Sequence, residues 1–400
     1  MIWAPWGGAA GHGTAINASG QVTGQAYTSG NAEQHAFLST HGGPMIDLGT
    51  LGGTASYGNA INAGGQVTGY SSTSGDAETH AFLSDNAGTM IDLGTLGGRT
   101  SSGNAINASG QVTGQAYTSG NAEYHAFLSD NGGAMIDLGT LGGTVSSGNA
   151  INAGGQVTGF SFTSGDAETH AFLSNNGGAM IDLGTLGGTD SSGYAINASG
   201  QVTGQAYTSG NAEYHAFLSD NGGAMVDLGT LGGTDSSGYA INAGGQVTGL
   251  AYTSGDAEIH AFLSNNGGAM IDLGTLGGTV SAGTAINASG QVIGYSTTLG
   301  AGEEHAFLYS EGTLFDLNDL IAPGSGVVLF SAVAINDAGQ VVAAGYSLQS
   351  GSPRAFLLNP DEVAHVVSEP ETLELLLSAG MLAAWTGRRA RRRESVRSQA

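Results

Sequence analysis

Residues 195–231 read AINASGQVTGQAYTSGNAEYHAFLSDNGGAMVDLGTL, and the stretch returns at residues 105–141 with one difference, Ile136 in place of Val226. Its His-Ala-Phe core starts at seven positions that are 45 residues apart, and Arg354-Ala355-Phe356 is a divergent eighth copy. Such a period is typical of one supersecondary unit that is copied many times and packs against its own neighbours. We predict that the recurring histidines and phenylalanines are structural residues of this unit, with the phenylalanines in the core between units. They are His35, His80, His125, His170, His215, His260, His305, Phe37, Phe82, Phe127, Phe172, Phe217, Phe262 and Phe307.

One unit contains four strand-like segments, which in the fifth copy are residues 193–197, 201–208, 213–219 and 225–228. β-Branched and aromatic residues fill these segments, and Gly, Ser, Asn and Asp separate them. Asn221-Gly222, between the last two segments, is a strong signal for a tight hairpin turn. No stretch before residue 370 has the spacing of an amphipathic helix. This part of the chain is therefore predicted to be all-β.

Four short strands in about 45 residues match the size of a β-propeller blade, whereas the coil of a β-helix, the second possibility, is shorter. Ala-Ile-Asn occurs eight times, which predicts eight blades, but the Met-Ile-Asp-Leu strand and its variants occur seven times. Residues 1–8 resemble residues 45–53, so the N-terminal strand is predicted to complete the last blade and close the ring. The propeller would span residues 1–360.

The charge is distributed unevenly along the chain. Residues 1–364 contain 28 acidic residues and two arginines, a net charge of −26, whereas residues 365–400 contain six arginines and four glutamates. A body this acidic repels phosphate groups, so we expect no nucleic-acid partner. Cysteine is absent, which excludes disulfides, thiolate zinc sites and cysteine nucleophiles.

The recurring motifs are those of a known repeat. The series Ala-Ile-Asn-x-x-Gly-Gln-Val-x-Gly, His-Ala-Phe-Leu and Asp-Leu-Gly-Thr-Leu-Gly-Gly resembles the bacterial HAF repeat, and the resemblance covers about residues 1–360. It implies export from the cell and a repeated β fold. It supplies no catalytic residues.

The end of the chain resembles a PEP-CTERM sorting signal, a tail that an exosortase processes during delivery to the cell surface. Ser368-Glu369-Pro370 stands where Pro-Glu-Pro is expected, residues 375–387 are apolar or small, and an arginine cluster follows. The resemblance implies a linker at 361–372, then a hydrophobic transmembrane helix and basic tail at 373–400. It also implies an exosortase-type partner and transient membrane anchoring, with the basic cluster on the cytoplasmic side. The signal residues are Glu369, Pro370, Arg388, Arg389, Arg391, Arg392 and Arg393.

Two features depart from this signal. Ser368 replaces the first proline, and the uncharged run at 375–387 would form about 20 Å of helix against a hydrocarbon core of about 30 Å.

The opening residues, Met1-Ile2-Trp3-Ala4-Pro5-Trp6, do not form a signal peptide. Because a secreted or surface protein needs an export signal, we expect a mis-assigned start codon or a truncated gene.

Several repeated side chains could carry chemistry. Glu-x-His, as in Glu123 and His125, places both groups on one face of a strand, where a ring of copies could bind metal; one structural hydrogen bond per unit is the simpler interpretation. Carboxylate pairs such as Asp76 and Glu78 offer ligands to calcium, but the Gly-Gly-x-Gly-x-Asp register of calcium-binding repeats is missing. We therefore expect no cofactor, with calcium as the alternative.

Two further patterns recur with the units. Asn-Ala-Ser matches the glycosylation pattern at Asn17, Asn107, Asn197 and Asn287, although it recurs because the turn recurs. Tyr or Phe recurs at positions 27, 70, 117, 160, 162, 207, 252 and 295. Burial is the usual fate of such residues, and exposed ones would line a carbohydrate-binding surface.

Together these patterns favour a non-catalytic structural or adhesive component of the bacterial surface or extracellular matrix, with extracellular polysaccharide as a candidate partner. A glycan- or peptide-binding propeller is the alternative. A polysaccharide-degrading enzyme, the third class, would need unique acidic residues in a divergent unit. Residues 298–364 form the one divergent region, and an atypical terminal unit accounts for it.

Overall fold

The computed structural model describes residues 11–360, except residues 31, 41, 42, 44, 86, 87, 301 and 350. The described residues form eight consecutive antiparallel sheets, or blades; seven have four strands, and the eighth has three strands within the described part. Blades 1 to 3 are β1 (Gly11–Ile16), β2 (Gln21–Tyr27), β3 (Gln34–Thr40) and β4 (Met45–Asp47); β5 (Gly52–Ile61), β6 (Val67–Thr73), β7 (Thr79–Ser84) and β8 (Met90–Gly94); and β9 (Gly97–Ile106), β10 (Gln111–Thr118), β11 (Tyr124–Asp130) and β12 (Met135–Asp137).

The later blades repeat this order. Blades 4 to 6 are β13 (Gly142–Ile151), β14 (Gln156–Thr163), β15 (Thr169–Asn175) and β16 (Met180–Asp182); β17 (Gly187–Ile196), β18 (Gln201–Thr208), β19 (Tyr214–Asp220) and β20 (Met225–Asp227); and β21 (Gly232–Ile241), β22 (Gln246–Thr253), β23 (Ile259–Asn265) and β24 (Met270–Gly274). Blades 7 and 8 are β25 (Gly277–Ile286), β26 (Val292–Thr298), β27 (Glu304–Ser310) and β28 (Thr313–Asp316); and β29 (Val327–Ile335), β30 (Val341–Ser347) and β31 (Pro353–Leu358).

Within a blade, consecutive strands pair with each other. In blade 5, β18 pairs with β17 and β19, and β19 pairs with β20. A β-bulge interrupts the first pairing, because Gly193 faces Gly204 and Ala195 faces Thr203, which leaves Tyr194 without a residue opposite. The corresponding bulge is present in all eight blades.

The first strands of the blades form the inner ring of the molecule. Each contacts the first strands of both neighbouring blades, and β1 contacts β29. Val22 and Phe37 of blade 1 also share an apolar cluster with Val342, Ala355 and Leu357 of blade 8. The predicted all-β propeller of eight blades is therefore confirmed. The predicted closure by the N-terminal strand concerns residues 1–10, which lie outside the described residues.

The core between two blades is built around a phenylalanine. Phe172 of β15 is fully buried and packs with Val157 of its own blade and with Ala126, Leu128 and Leu138 of the preceding blade. The eight phenylalanines at this position of the repeat are all 0–1% exposed, namely Phe37, Phe82, Phe127, Phe172, Phe217, Phe262, Phe307 and Phe356. Since burial of apolar area is the main favourable term in folding, these interfaces hold the ring together.

One element departs from the all-β prediction. Residues Leu317–Leu320 form a short helix, α1, and the carboxylate of Asp316 caps it by accepting a hydrogen bond from the Asn318 N–H (2.8 Å). Leu317 and Leu320 are both buried. The helix is too short to show the helical period on which the sequence prediction depends. Three single 3-10 turns also occur, at Ser74–Asp76, Ser164–Asp166 and Ser254–Asp256.

Candidate binding site on the inner strands of blades 5 and 6

A closed ring of hydrogen bonds joins the inner strands of the propeller. The side-chain amide of each Ala-Ile-Asn asparagine donates to the main-chain carbonyl of the asparagine in the next blade. Asn152 donates to Asn197 at 3.0 Å, and Asn336 donates to Asn17 at 3.0 Å, which completes the circle. The ring consists of Asn17, Asn62, Asn107, Asn152, Asn197, Asn242, Asn287 and Asn336, which are 3–6% exposed. The asparagines of the glycosylation pattern belong to this ring, so their amide nitrogens are buried and already bonded.

The recurring histidines pair with the fourth strand of their own blade. His125 Nδ1 lies 2.9 Å from a carboxylate oxygen of Asp137, which also accepts a hydrogen bond from the Gly139 N–H at 2.7 Å. Each pair thus joins the third strand, the fourth strand and the turn that follows. The pairs, at 2.6–3.0 Å, are His35–Asp47, His80–Asp92, His125–Asp137, His170–Asp182, His215–Asp227, His260–Asp272 and His305–Asp316.

The carboxylates considered for metal binding are engaged in separate contacts. Asp76 accepts hydrogen bonds from the N–H and the hydroxyl of Thr54 (2.8 and 3.0 Å), whereas Glu78 lies 3.3 Å from His80 Nε2. At the equivalent position of the next blade, Asn121 accepts the corresponding hydrogen bond from the Arg99 N–H at 2.7 Å. Asp and Asn therefore accept the same main-chain hydrogen bond in successive blades. Among the described residues, no group of three or more His, Asp or Glu side chains is arranged to hold a metal ion.

We expect His125→Ala to lower the unfolding free energy by about 1 kcal/mol, because it removes one partly exposed contact between two strands. Urea unfolding followed by circular dichroism measures the change. Ile136→Thr is the control, since Ile136 is 46% exposed on the strand that carries Asp137 and should be neutral. A loss of 3 kcal/mol or more, about three times the expected value, would contradict the modest role of this pair.

Blades 5 and 6 differ from the others at the bulge of the first strand. In five other blades, an asparagine or threonine at this position donates to a main-chain carbonyl of the next blade at 2.7–3.0 Å. These residues are Thr14, Asn59, Asn104, Asn149 and Thr284. Tyr194 and Tyr239 replace them, with ring centroids 6.2 Å apart and ring planes at 44°. Tyr239 is 37% exposed, so an aromatic pair is accessible on the inner ring.

Two unusual carboxylates lie next to Tyr214, which is itself close to Tyr194 and Tyr239. Asp190 and Asp235 stand where blades 2, 3, 4 and 7 have Ala55, Thr100, Val145 and Val280. Asp235 accepts a hydrogen bond from the Tyr214 N–H (2.9 Å), and Asp190 accepts one from the Thr169 N–H (3.0 Å). Tyr214 packs edge-on against Tyr207 at 6.0 Å, and both line a small cavity with Asp190. Carboxylates and phenols therefore share one sector of the propeller.

The phenol groups of Tyr194, Tyr214 and Tyr239 stay protonated at neutral pH. Burial raises the pKa of Tyr194 to about 12, and the nearby Tyr239 and Tyr214 add to the shift. Burial also raises the pKa of Tyr214, with Asp235 as the next cause. For Tyr239, burial raises the pKa more than its hydrogen bond with Ser237 lowers it. The hydroxyls can therefore donate hydrogen bonds to a ligand.

The sequence predictions do not include this sector, because they place the divergent part of the repeat at residues 298–364. The sequence nevertheless contains a sign of it. Residues 188–197 and 233–242 carry the same Asp and Tyr, whereas the equivalent segment of blade 4 has Val145 and Asn149. In residues 298–364, Asp316 pairs with His305 and Asp337 accepts a hydrogen bond from the Ala288 N–H at 2.9 Å. These acidic groups are thus engaged in contacts within the fold.

The fold defines this chain as a β-propeller. No family model matches its sequence, and the comparison with curated proteins finds no match. Solved structures with a similar fold include the propeller domain of the trilobed protease from Pyrococcus furiosus (9% identity, 77% of this chain and 95% of that chain, TM-score 0.48). They also include the BP39L lectin from Burkholderia pseudomallei (11%, 76% and 96%, TM-score 0.39) and TolB from Acinetobacter baumannii (14%, 63% and 63%, TM-score 0.38). The match thus spans less than two thirds of the TolB chain.

The sorting-signal residues, from Glu369 to Arg393, lie outside the described residues, as do the linker at 361–372 and the tail at 373–400. In the part of the chain that the structure describes, no helix has the length and apolar character needed to span a membrane.

Proposed function

We propose that this chain is a non-catalytic propeller that acts as a structural or adhesive component of the bacterial surface or extracellular matrix. The observation that carries the proposal is the uniform use of the seven recurring histidines. Seven blades use His and Asp in the same contact between strands, whereas a catalytic site needs one asymmetric group of acid, base or nucleophile. Repetition of this kind is suited to a scaffold.

Export to the surface is supported by the resemblance to the HAF repeat and to the PEP-CTERM signal. The basic cluster that follows residues 375–387 would stay on the cytoplasmic side while the acidic propeller is outside. An exosortase-type enzyme would then release the propeller from its anchor.

The intact mass of the protein from surface and medium fractions of its host tests this delivery. We expect a species that has lost the arginine tail by cleavage near Glu369-Pro370. An N-terminal extension, if the start is mis-assigned, would appear in the precursor mass. A full-length chain that begins at Met1 and is confined to the cytoplasm would overturn the proposal.

Glycan binding is the second candidate function, and the accessible pair of Tyr194 and Tyr239 is the observation that favours it. Aromatic faces with polar hydroxyls suit ligands that have both an apolar and a polar surface, as sugars do. Titration of the protein with polysaccharide from the host matrix should give saturable binding. Binding only to the protein fraction of the matrix would favour a peptide ligand instead.

A further inference from the structure

Tyr194 and Tyr239 stand where other blades carry a residue that donates a hydrogen bond to the next blade. At the same position, Asn149 Nδ2 donates to the Gly193 carbonyl at 2.9 Å and so links two blades. A tyrosine carries its hydroxyl at the far end of the ring, beyond the position of the asparagine amide or the threonine hydroxyl, and the two tyrosines pack on each other instead. The inner ring therefore gives up this hydrogen bond in two adjacent blades and gains an exposed aromatic surface there.

The sector that holds the tyrosine pair is negatively charged, because Asp190 and Asp235 lie next to Tyr214. Asp190 and Asp235 each accept two hydrogen bonds, from a main-chain N–H and from a threonine hydroxyl. A carboxylate can accept about four, so both retain capacity for a ligand. Blades 4 to 7 contain no lysine or arginine, so neither this sector nor the blade on either side of it supplies a fixed cation. An anionic ligand would be repelled here, and a cationic one attracted.

We propose that the inner face of blades 5 and 6 binds a polysaccharide of amino sugars with free ammonium groups. Tyr194 and Tyr239 would contact the apolar faces of the sugar rings, as aromatic side chains do with amphipathic ligands. Asp190 and Asp235 would pair with the ammonium groups, and the tyrosine faces add cation–π attraction. This inference rests on the glycan-binding candidate and specifies the charge of the glycan.

Titration calorimetry of the full chain tests the inference with three probes: oligomers of glucosamine, oligomers of N-acetylglucosamine and oligomers of galacturonic acid. The titration is carried out at about pH 5, because the ring oxygens and neighbouring charges of the oligomer lower the pKa of its amines below the α-amino value of about 8, and at pH 5 these amines are charged. We expect the glucosamine oligomer to bind most tightly and the galacturonate not to bind. The preference should weaken as salt is added, since salt screens exposed charges.

Residue exchange between blades supplies matched variants. Tyr194→Asn with Tyr239→Asn installs the residue of blades 2 to 4 and should weaken glucosamine-oligomer binding about tenfold or more. Tyr57→Ser is the control. It removes a tyrosine from blade 2, introduces the serine that blade 3 has at the equivalent position (Ser102), and should leave binding unchanged. Asp190→Val with Asp235→Val installs the residue of blade 4 and should abolish the preference for the free amine. Thermal unfolding verifies that each variant is folded.

The possible failures are distinct. Full binding by the folded double tyrosine variant would overturn the site, and equal affinity for free and acetylated oligomers would overturn the cationic assignment. If no oligosaccharide binds the unmodified chain, both the glycan-binding function and this inference are wrong. The proposed structural role is tested separately, by the intact-mass measurement.

Discussion

Replacing Asn152 by alanine is expected to lower the unfolding free energy by about 3 kcal/mol, because a buried amide with several partners disappears. Its Nδ2 donates to the Asn197 carbonyl and the Gln156 Oε1, and its Oδ1 accepts from the N–H groups of Gly154 and Gln156 at 3.0 Å. Alanine leaves these main-chain groups without a partner in a site where the side chain is 5% exposed. Each such orphaned group costs about 1–3 kcal/mol.

Asn149 provides the control for this variant. It lies on β13, three residues before Asn152, is half-buried and donates one hydrogen bond to the next blade, so Asn149→Ala should lose about 1 kcal/mol. Asn149→Tyr should be tolerated as well, because blades 5 and 6 carry tyrosine there. Urea unfolding of the three variants under the same conditions gives the comparison. Similar losses for Asn152→Ala and Asn149→Ala would show that the asparagine ring is not a main determinant of stability.

Local chemistry was sufficient to predict four strands per unit and the turns between them, although the first strand, predicted at residues 193–197, covers Gly187–Ile196. Asn221 and Gly222 have φ angles of 46° and 83°, and the Asn-Gly pair is favoured because both positions of this turn require positive φ. The four-strand unit and the count of Ala-Ile-Asn then led to eight blades. These features depend on residues that are close in the sequence.

The asparagine ring and the tyrosine pair depend on longer-range geometry. Asn152 resembles any turn asparagine, and its bond to Asn197 joins residues 45 positions apart. The position of Tyr194 follows from the bulge, which shifts the alternation of side chains along β17 and defeats a period-two prediction. The sequence could show that Tyr194 differs from Asn149, but only the bulge places this difference on the inner ring.

Phe172→Ala is expected to have the largest effect of any single substitution in the repeat, a loss of about 3–5 kcal/mol. The ring of Phe172 is fully buried between blades 3 and 4, where Leu128 and Leu138 pack against it. Alanine removes apolar burial and leaves a cavity, because main-chain pairing on both sides limits how far the blades can move together. Circular dichroism during urea unfolding measures the loss.

Two further variants distinguish the cost of the cavity left by Phe172→Ala from the cost of removing any aromatic ring. Phe172→Leu keeps most of the volume and should lose about 1.5 kcal/mol or less. Phe162→Ala removes a half-buried ring from β14 of the same blade and should lose less than Phe172→Ala. Contacts between β1 and β29 close the ring, so blades 3 and 4 cannot separate without straining the other interfaces between blades. We therefore expect Phe172→Ala to unfold in a single transition. A first transition in which blades 3 and 4 unfold alone would show that the blades act as independent units.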